Sequence, residues 1–206
     1  MPLQSTIISV GEASERSDRI REQVAGTLNR NYKDTRTLLL RAYLDLAMEH
    51  HEAITLLVRM KLFGPAFSLV RVVCEILLYA LWVKACATEN DVEGLALKGD
   101  YEFPRIGTVI SALDKVYGTE PLYQGIKKQS WKAMSAYTHT GLLQLAKRFK
   151  EGQVEPNDPK GAISECLEAT TMSIFLLALL FAKATGQAAG ARQIEELLET
   201  FVEGSR

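Results

Sequence analysis

The sequence predicts an all-α protein, folded as a single bundle of about six or seven mostly antiparallel helices. Apolar residues recur at the helical period through most of the chain. We find no stretch with the alternating apolar and polar residues of a half-buried strand. The loops between the predicted helices are short, which favours antiparallel neighbours.

Size and composition are those of one soluble domain. The chain has 206 residues, and we assign residues 1–206 to a single domain in which residues 1–13 are loose. Hydrophobic residues make up 47% and charged residues 24%. The formal net charge of −1 argues against a polyanion-binding surface over the whole molecule and still allows a local basic patch.

Cysteine usage and apolar runs bear on the compartment. Cys74, Cys86 and Cys166 form no CxxC pair and no metal-ligand spacing, and an odd, sparse set fits a reducing environment. The N-terminus has no basic segment followed by a long apolar run, so we predict no signal peptide. The most apolar run, Met172–Ala182, is shorter than the about 20 residues of a membrane span. We therefore predict a cytoplasmic protein that does not enter the membrane.

The N-terminal third of the chain predicts two helices. The first, from residue 14 to 30, has a narrow apolar face and is expected to be peripheral. The second, from 35 to 63, places His50 and His51 at the border of a buried stripe. Gly64-Pro65 follows, because glycine ends helices and proline fits the first turn of the next one.

The next helix, Pro65 to Cys86, is apolar on every side, which predicts burial among other helices. It nevertheless carries Arg71 and Glu75, four residues apart and so on one face. Buried charges are costly unless they are paired or hydrogen-bonded. Two interpretations remain: a structural ion pair that holds the bundle in register, or a pair that lines a polar pocket.

The rest of the chain predicts further helices and one surface loop. Residues 88–104 are the least regular and hold one helical turn or more. An amphipathic helix over 105–117 ends at Gly118, and a helical stretch over 121–149 has a kink at Thr140-Gly141. Residues 151–161 are dense in turn formers; a long apolar helix over 162–185 and an amphipathic helix over 192–202 complete the bundle.

A second polar group lies on the predicted helix after residue 121. Its members are spaced i, i+4, i+7, i+11 and so share one stripe: Lys128, Lys132, Ser135 and His139. One interpretation is a solvated basic face that ends in a capping histidine. The other is a site, since histidine can act as an acid or base near neutral pH. We take His139 and Lys132 as candidate catalytic residues, and as candidate ligand-binding residues Arg71, Glu75, Tyr137 and Thr140.

No pattern indicates a metal or a cofactor. His50 and His51 are adjacent and would point about 100° apart on a helix, so they cannot easily share one ion. The sequence contains no GxxxxGK[ST], no GxGxxG after a strand and no GxSxG. Nucleotide hydrolases, dehydrogenases and serine hydrolases of the common types are therefore poorly supported.

Several short motifs between Thr35 and Arg148 carry a family resemblance. They are Glu49-His50-His51, Gly64-Pro65-Ala66-Phe67, Arg71-x-x-x-Glu75 with Trp82, and Tyr137-x-His139-Thr140-Gly141. They resemble an uncharacterised bacterial family of all-helical proteins, which is itself similar to the HEPN superfamily. That resemblance implies a homodimer, with a protein or RNA as a further partner, because HEPN bundles often pair and many act as ribonucleases in toxin–antitoxin or phage-defence systems.

The sequence departs from the active HEPN pattern at one point. The ribonucleases of that superfamily use an arginine followed, after four to six residues, by a histidine, and no arginine here has that spacing. Lys132 precedes His139 with six residues between them. Lysine lacks the planar fork with which arginine contacts phosphate.

Three functions are consistent with the sequence. We expect a binding or regulatory module, without enzymatic activity, in bacterial defence or a toxin–antitoxin pair. The alternative is a metal-independent ribonuclease that uses His139. The third is a purely structural interaction protein.

Overall fold

The computed structural model describes residues 9–29, 34–97, 101–118, 131, 134–135, 145, 149–150, 153–154 and 160–204. These residues confirm the all-α bundle. The helices are α1 (Val10–Thr27), α2 (Thr35–Arg59), α3 (Phe63–Ala85), α4 (Glu89–Leu97), α5 (Ile106–Tyr117), α6 (Lys160–Thr185) and α7 (Ala188–Glu203). Two-residue strands, β1 (Phe149–Lys150) and β2 (Gln153–Val154), pair antiparallel.

Helix α1 begins at Val10, four residues before the predicted start. Ser9 caps it by accepting from the amide of Glu12 at 3.2 Å, and the Glu12 carboxylate accepts from the Ser9 amide at 2.8 Å. This reciprocal capping box satisfies two amides that the helix itself leaves unpaired. Residues 1–8, the rest of the segment predicted to be loose, lie outside the described residues.

The turn between α2 and α3 differs from the prediction. Helix α2 ends at Arg59 instead of Phe63, and Lys61 takes a left-handed backbone conformation with φ of 59°. The amide of Leu62 donates to the carbonyl of Leu57 at 2.8 Å, which closes the helix end. Lys61 therefore has the role that we assigned to Gly64, whereas Pro65 does lie in the first turn of α3.

Helix α6 is the most deeply packed element. It contacts α1, α2, α3 and α7, and its Phe175 and Phe181 side chains are fully buried. Helix α3 contacts α2, α5 and α6 and is less buried than its composition predicted, since most of its side chains stay partly accessible. Both α3 and Gly161–Thr185 are long and apolar enough to span a membrane by length and composition. The apolar window of α6 is 61% buried, as in a core helix, and that of α3 is 39% buried.

Helix α1 is not peripheral. It packs against α2, α6 and α7, and its inward face carries two serines beside the apolar residues: Ser14, Ser17, Ile20 and Val24 are all buried. The apolar stripe of α1 is narrow in the sequence because serine hydroxyls, not apolar side chains, occupy two of the positions that face the core. This face, α2 and α6 together enclose polar groups inside the bundle.

The segments at residues 101–105, 149–150 and 153–154 complete the described fold. Tyr79 donates its hydroxyl to the carbonyl of Pro104 at 3.0 Å, which fixes the chain after α4 against α3. The antiparallel strands β1 and β2 pair Phe149 with Val154. The sequence instead predicts a helix up to Phe149 and a loop at Gln153-Val154, so both predictions are wrong at these residues.

Candidate functional site

The predicted pair on α3 forms. Arg71 Nε donates to Glu75 Oε1 at 2.8 Å, with the two residues one helical turn apart. The side chains are 21% and 31% exposed, so the pair is partly accessible to water and not sealed in the core as predicted. The reason is that this side of α3 is only partly covered by the other helices that the structure describes.

Arg71 also contacts Ser135, which belongs to the second polar group of the sequence analysis. The two polar groups that were predicted separately are therefore in contact. Nη1 of Arg71 donates to Ser135 Oγ at 3.0 Å, across 64 positions of sequence. The guanidinium carbon lies 5.0 Å from the centre of the Trp131 ring, close enough for a cation–π contact. The α3 ion pair therefore contacts the stripe on which the sequence places Lys132 and His139.

Four of the six predicted site residues lie outside the described residues: Lys132, Tyr137, His139 and Thr140. Their roles stay predictions. Within the part of the chain that the structure describes, no group of three or more His, Cys, Asp or Glu side chains comes together as a metal site.

The structure shows a polar cluster inside the bundle that sequence reasoning missed. Ser17 Oγ on α1 and Thr171 Oγ1 on α6 each lie 3.0 Å from Nε2 of His51 on α2, and the two hydroxyls are hydrogen-bonded to each other. All three side chains are buried: Ser17 is 3% exposed, Thr171 1% and His51 0%. We name Ser17, His51 and Thr171 the hydroxyl–histidine cluster.

Burial sets the protonation state of this cluster. Loss of hydration lowers the pKa of His51 to about 4; the nearby Asp18 carboxylate opposes this shift, and Arg21 adds to it. The imidazole is therefore neutral at physiological pH. Its Nδ1 has no hydrogen-bond partner among the residues that the structure describes.

Charged side chains pair with one another where α1 meets α2, and two of them, Asp18 and Arg21, are close enough to affect the pKa of the histidine in the cluster. Asp18 accepts from Thr55 Oγ1 at 3.0 Å and from the Arg59 guanidinium. Arg21 lies 3.7 Å from Asp18 and 3.5 Å from Glu52. The charged groups at this junction therefore pair with one another and not with the neutral cluster.

The sequence did contain a signal for this cluster. Ser14 and Ser17 are three residues apart in the stripe that continues with Ile20, so hydroxyls occupy positions facing the core. Thr171 lies just before the apolar run of residues 174–182 on α6. His51 was already placed at the border of a buried stripe, but no spacing along the chain relates three residues on three helices.

Fold and site together define an all-α bundle with one partly exposed polar site on α3 and one buried polar cluster. Residues 44–204 match the family of unknown function DUF6988, and the chain belongs to that family. No curated protein and no solved structure matches the chain. The predicted membership of an uncharacterised family is thus confirmed.

Proposed function

We propose that the chain is a helical binding or regulatory module whose ligand site is centred on Arg71. One observation carries this proposal: Arg71 reaches Ser135 at 3.0 Å and so links the α3 ion pair to the stripe of the second polar group. On helical spacing, Lys132 and His139 lie on the same stripe as Ser135. Tyr137 and Thr140 add hydroxyls beside them in the sequence.

This chemistry favours an anionic ligand. A guanidinium binds carboxylate and phosphate with directed hydrogen bonds, and lysine and histidine side chains on the same side add positive charge. Glu75 holds Nε of Arg71, and the Trp131 ring lies against the guanidinium. The arginine is thereby oriented while it stays partly accessible to a ligand.

Binding of a labelled single-stranded RNA, followed by fluorescence anisotropy at fixed salt, tests the site with a polyanionic probe. We expect Arg71→Met to weaken binding about tenfold or more, since it removes charge-assisted hydrogen bonds and keeps side-chain volume. Arg19→Met is the matched control, because Arg19 is exposed on α1 and pairs only with Glu15 at 3.8 Å among the described residues. Equal binding by wild type and Arg71→Met would reject Arg71 as the centre of the site.

The biological setting that we propose is bacterial defence or a toxin–antitoxin pair, in the cytoplasm, with the chain acting as a homodimer. The resemblance to HEPN bundles supports it. Genes adjacent to this one test it directly: a neighbouring antitoxin or defence gene agrees with the proposal, and housekeeping neighbours contradict it. A purely structural role would leave ligand binding unchanged in every Arg71 variant.

A second candidate is a metal-independent ribonuclease in which His139 is the general acid or base. The Arg71–Ser135 contact favours it, since it brings an arginine to a stripe whose own basic residues are lysines. Lys132 or Arg71 would then stabilise the charge of the phosphorane. Cleavage of labelled RNA in EDTA should fall about 10²–10⁴-fold in His139→Ala. Equal cleavage by both proteins would indicate a contaminating nuclease and exclude this function.

A further inference from the structure

A cavity of about 20 Å³ lies between α1, α6 and α7 and is partly open to solvent. Ser17 and Thr171 of the hydroxyl–histidine cluster line it, and the apolar part of its lining comes from Ala13, Leu167 and Phe201. A volume of roughly 10–15 Å³ is enough for one water molecule. The cavity therefore has room for one water and excludes larger ligands. We name this space the hydroxyl cavity.

The hydrogen bonds of the cluster leave one donor unused. A neutral imidazole carries one N–H, and a buried N–H without an acceptor is rarer than a bare acceptor atom. Since Nδ1 of His51 has no partner among the described residues, the network assigns the hydrogen to Nε2. Nε2 then donates to one hydroxyl and that hydroxyl donates to the other, so the second hydroxyl keeps a hydrogen with no acceptor in the cluster.

That remaining hydrogen belongs to Ser17 or Thr171. Neither hydroxyl has a further acceptor among the residues that the structure describes. Both residues are more than nine-tenths buried and both line the hydroxyl cavity, so an acceptor can reach the hydrogen only from the cavity. A buried donor without an acceptor lowers stability, which favours an acceptor at this place.

A second polar group faces the same cavity and can accept a hydrogen bond. Glu168 lies three residues before Thr171 on α6, so the two side chains share one face of the helix. Glu168 Oε1 accepts from Ser164 Oγ at 3.2 Å, and both residues line the cavity. Since a carboxylate has about four lone-pair sites, Glu168 can accept a further hydrogen bond from a molecule in the cavity.

The cation at the cavity is held by other groups. Arg16 donates to the carbonyls of Phe201 at 2.7 Å and Gly204 at 3.1 Å, and its guanidinium lies 4.7 Å from the centre of the Phe201 ring. These contacts direct Arg16 to the end of α7. A ligand in the cavity therefore has to accept from a hydroxyl and donate to a carboxylate. Water has both capacities and the right size, whereas a small anion cannot donate.

We propose that the hydroxyl cavity holds one ordered water molecule, which accepts from Ser17 or Thr171 and donates to the Glu168 carboxylate. The water completes the hydrogen bonds of the cluster and joins α1 to α6. It allows α1 to bury a serine against a neutral histidine, at a position where a core-facing helix normally carries an apolar side chain. The site lies on other helices than Arg71, so it does not depend on the function proposed for that residue.

Oxygen-17 relaxation dispersion of the solvent, measured with the full chain, detects water that stays inside a protein for longer than its tumbling time. Ala13→Val fills the cavity from α1, and we expect the dispersion amplitude to fall by the contribution of one water molecule. Ala169→Val is the matched control, since Ala169 is exposed on α6 and does not line the cavity. Equal amplitudes in wild type and Ala13→Val, or an equal loss in both variants, would overturn the proposal.

A crystal structure of the full wild-type chain, at a resolution that shows ordered water, tests the position without relying on a variant that folds. We expect one density peak within hydrogen-bond distance of Glu168 and of either Ser17 or Thr171. No peak in the cavity, or a peak that contacts neither hydroxyl, would reject the site. Circular dichroism of Ala13→Val and Ala169→Val confirms that the solution comparison is made between folded proteins.

Discussion

Ser17 Oγ and His51 Nε2 lie 3.0 Å apart inside the bundle, although 34 positions separate the two residues in the sequence. The contact joins α1 to α2, and Thr171 extends it to α6. Because both residues are buried, a neutral imidazole is part of the packing of three helices. A proton on His51 would place a charge where no carboxylate of the described residues pairs with the ring.

Stability should therefore fall as the pH is lowered from about 6.5 to about 4. The pKa of His51 is about 4 in the folded chain and 6.5 in the unfolded chain, so the unfolded state binds more protons in this interval. The stabilisation is complete above pH 6.5 and is lost progressively as the pH falls towards the folded value. The free energy of unfolding should drop by about 3 kcal/mol, as measured by urea denaturation at a series of pH values.

His51→Gln supplies the comparison. This variant should be less stable than wild type at pH 7. Its free energy of unfolding should also change less between pH 6.5 and 4.5 than that of the wild type. Carboxylates with lowered pKa values, such as Asp34 and Asp91, contribute mainly at lower pH and equally in both proteins. Parallel curves for the two proteins would show that His51 does not cause the pH dependence.

Glu75→Ala should lower the free energy of unfolding by about 1–2 kcal/mol. This is less than a sealed pair would give, because water reaches Arg71 and Glu75, which are 21% and 31% exposed. For a chain of this size, the melting temperature should fall by about 3–6 °C. Glu195→Ala removes the exposed ion pair with Lys183 and should change the melting temperature by about 1 °C or less. Equal shifts of the melting temperature in the two variants would contradict the larger stabilisation that we expect from the Arg71–Glu75 pair.

Light scattering on a sizing column should give the mass of a dimer at tens of micromolar. The large side chains Phe175, Phe181 and Phe201 of the last two helices are buried within the chain, so they are not available to form that interface. Helix α2 carries exposed large apolar residues in the described chain, including Leu46 and Leu56, at 41% and 54% exposure, and we propose it as the interface.

The double variant Leu46→Lys, Leu56→Lys should consequently elute as a monomer. Leu97→Lys, at a 79% exposed position on α4, is the control and should leave the mass unchanged. A monomeric wild type would reject the dimer, and a dimeric double variant would place the interface on another surface.

Gly94→Ala should destabilise the fold by about 1–3 kcal/mol. A Cβ atom at this position on α4 would overlap the ring of Tyr101, whose hydroxyl donates to Asp91 Oδ1 at 2.6 Å. The ring has to move, and the hydrogen bond that ties residue 101 to α4 is lost. Gly26→Ala on α1 is the matched control, since nothing lies within 4 Å of its added methyl group. It should be neutral or stabilising in chemical denaturation, owing to the higher helix propensity of alanine.

Local signals predicted most of the described helices. Periodicity found α2, α3, α5, α6 and α7, because a buried stripe repeats every three to four residues whatever it packs against. The end of α5 was predicted from Gly118, which takes φ of 62°. The end of α2 was missed, because Lys61 adopts a left-handed backbone conformation that a lysine rarely takes and that the sequence therefore does not predict. The Ser9–Glu12 capping box was present in the sequence and was overlooked.

By itself, the sequence determined the all-α class and the Arg71–Glu75 pair, since helical spacing alone places residues i and i+4 on one face. Only the tertiary structure decided how far that pair is buried, that it reaches Ser135, and that Ser17, His51 and Thr171 meet. The physical reason is that burial and contacts between helices depend on which faces pack together. Periodicity fixes the face of each helix and leaves the choice of its neighbour to the packing of the whole bundle.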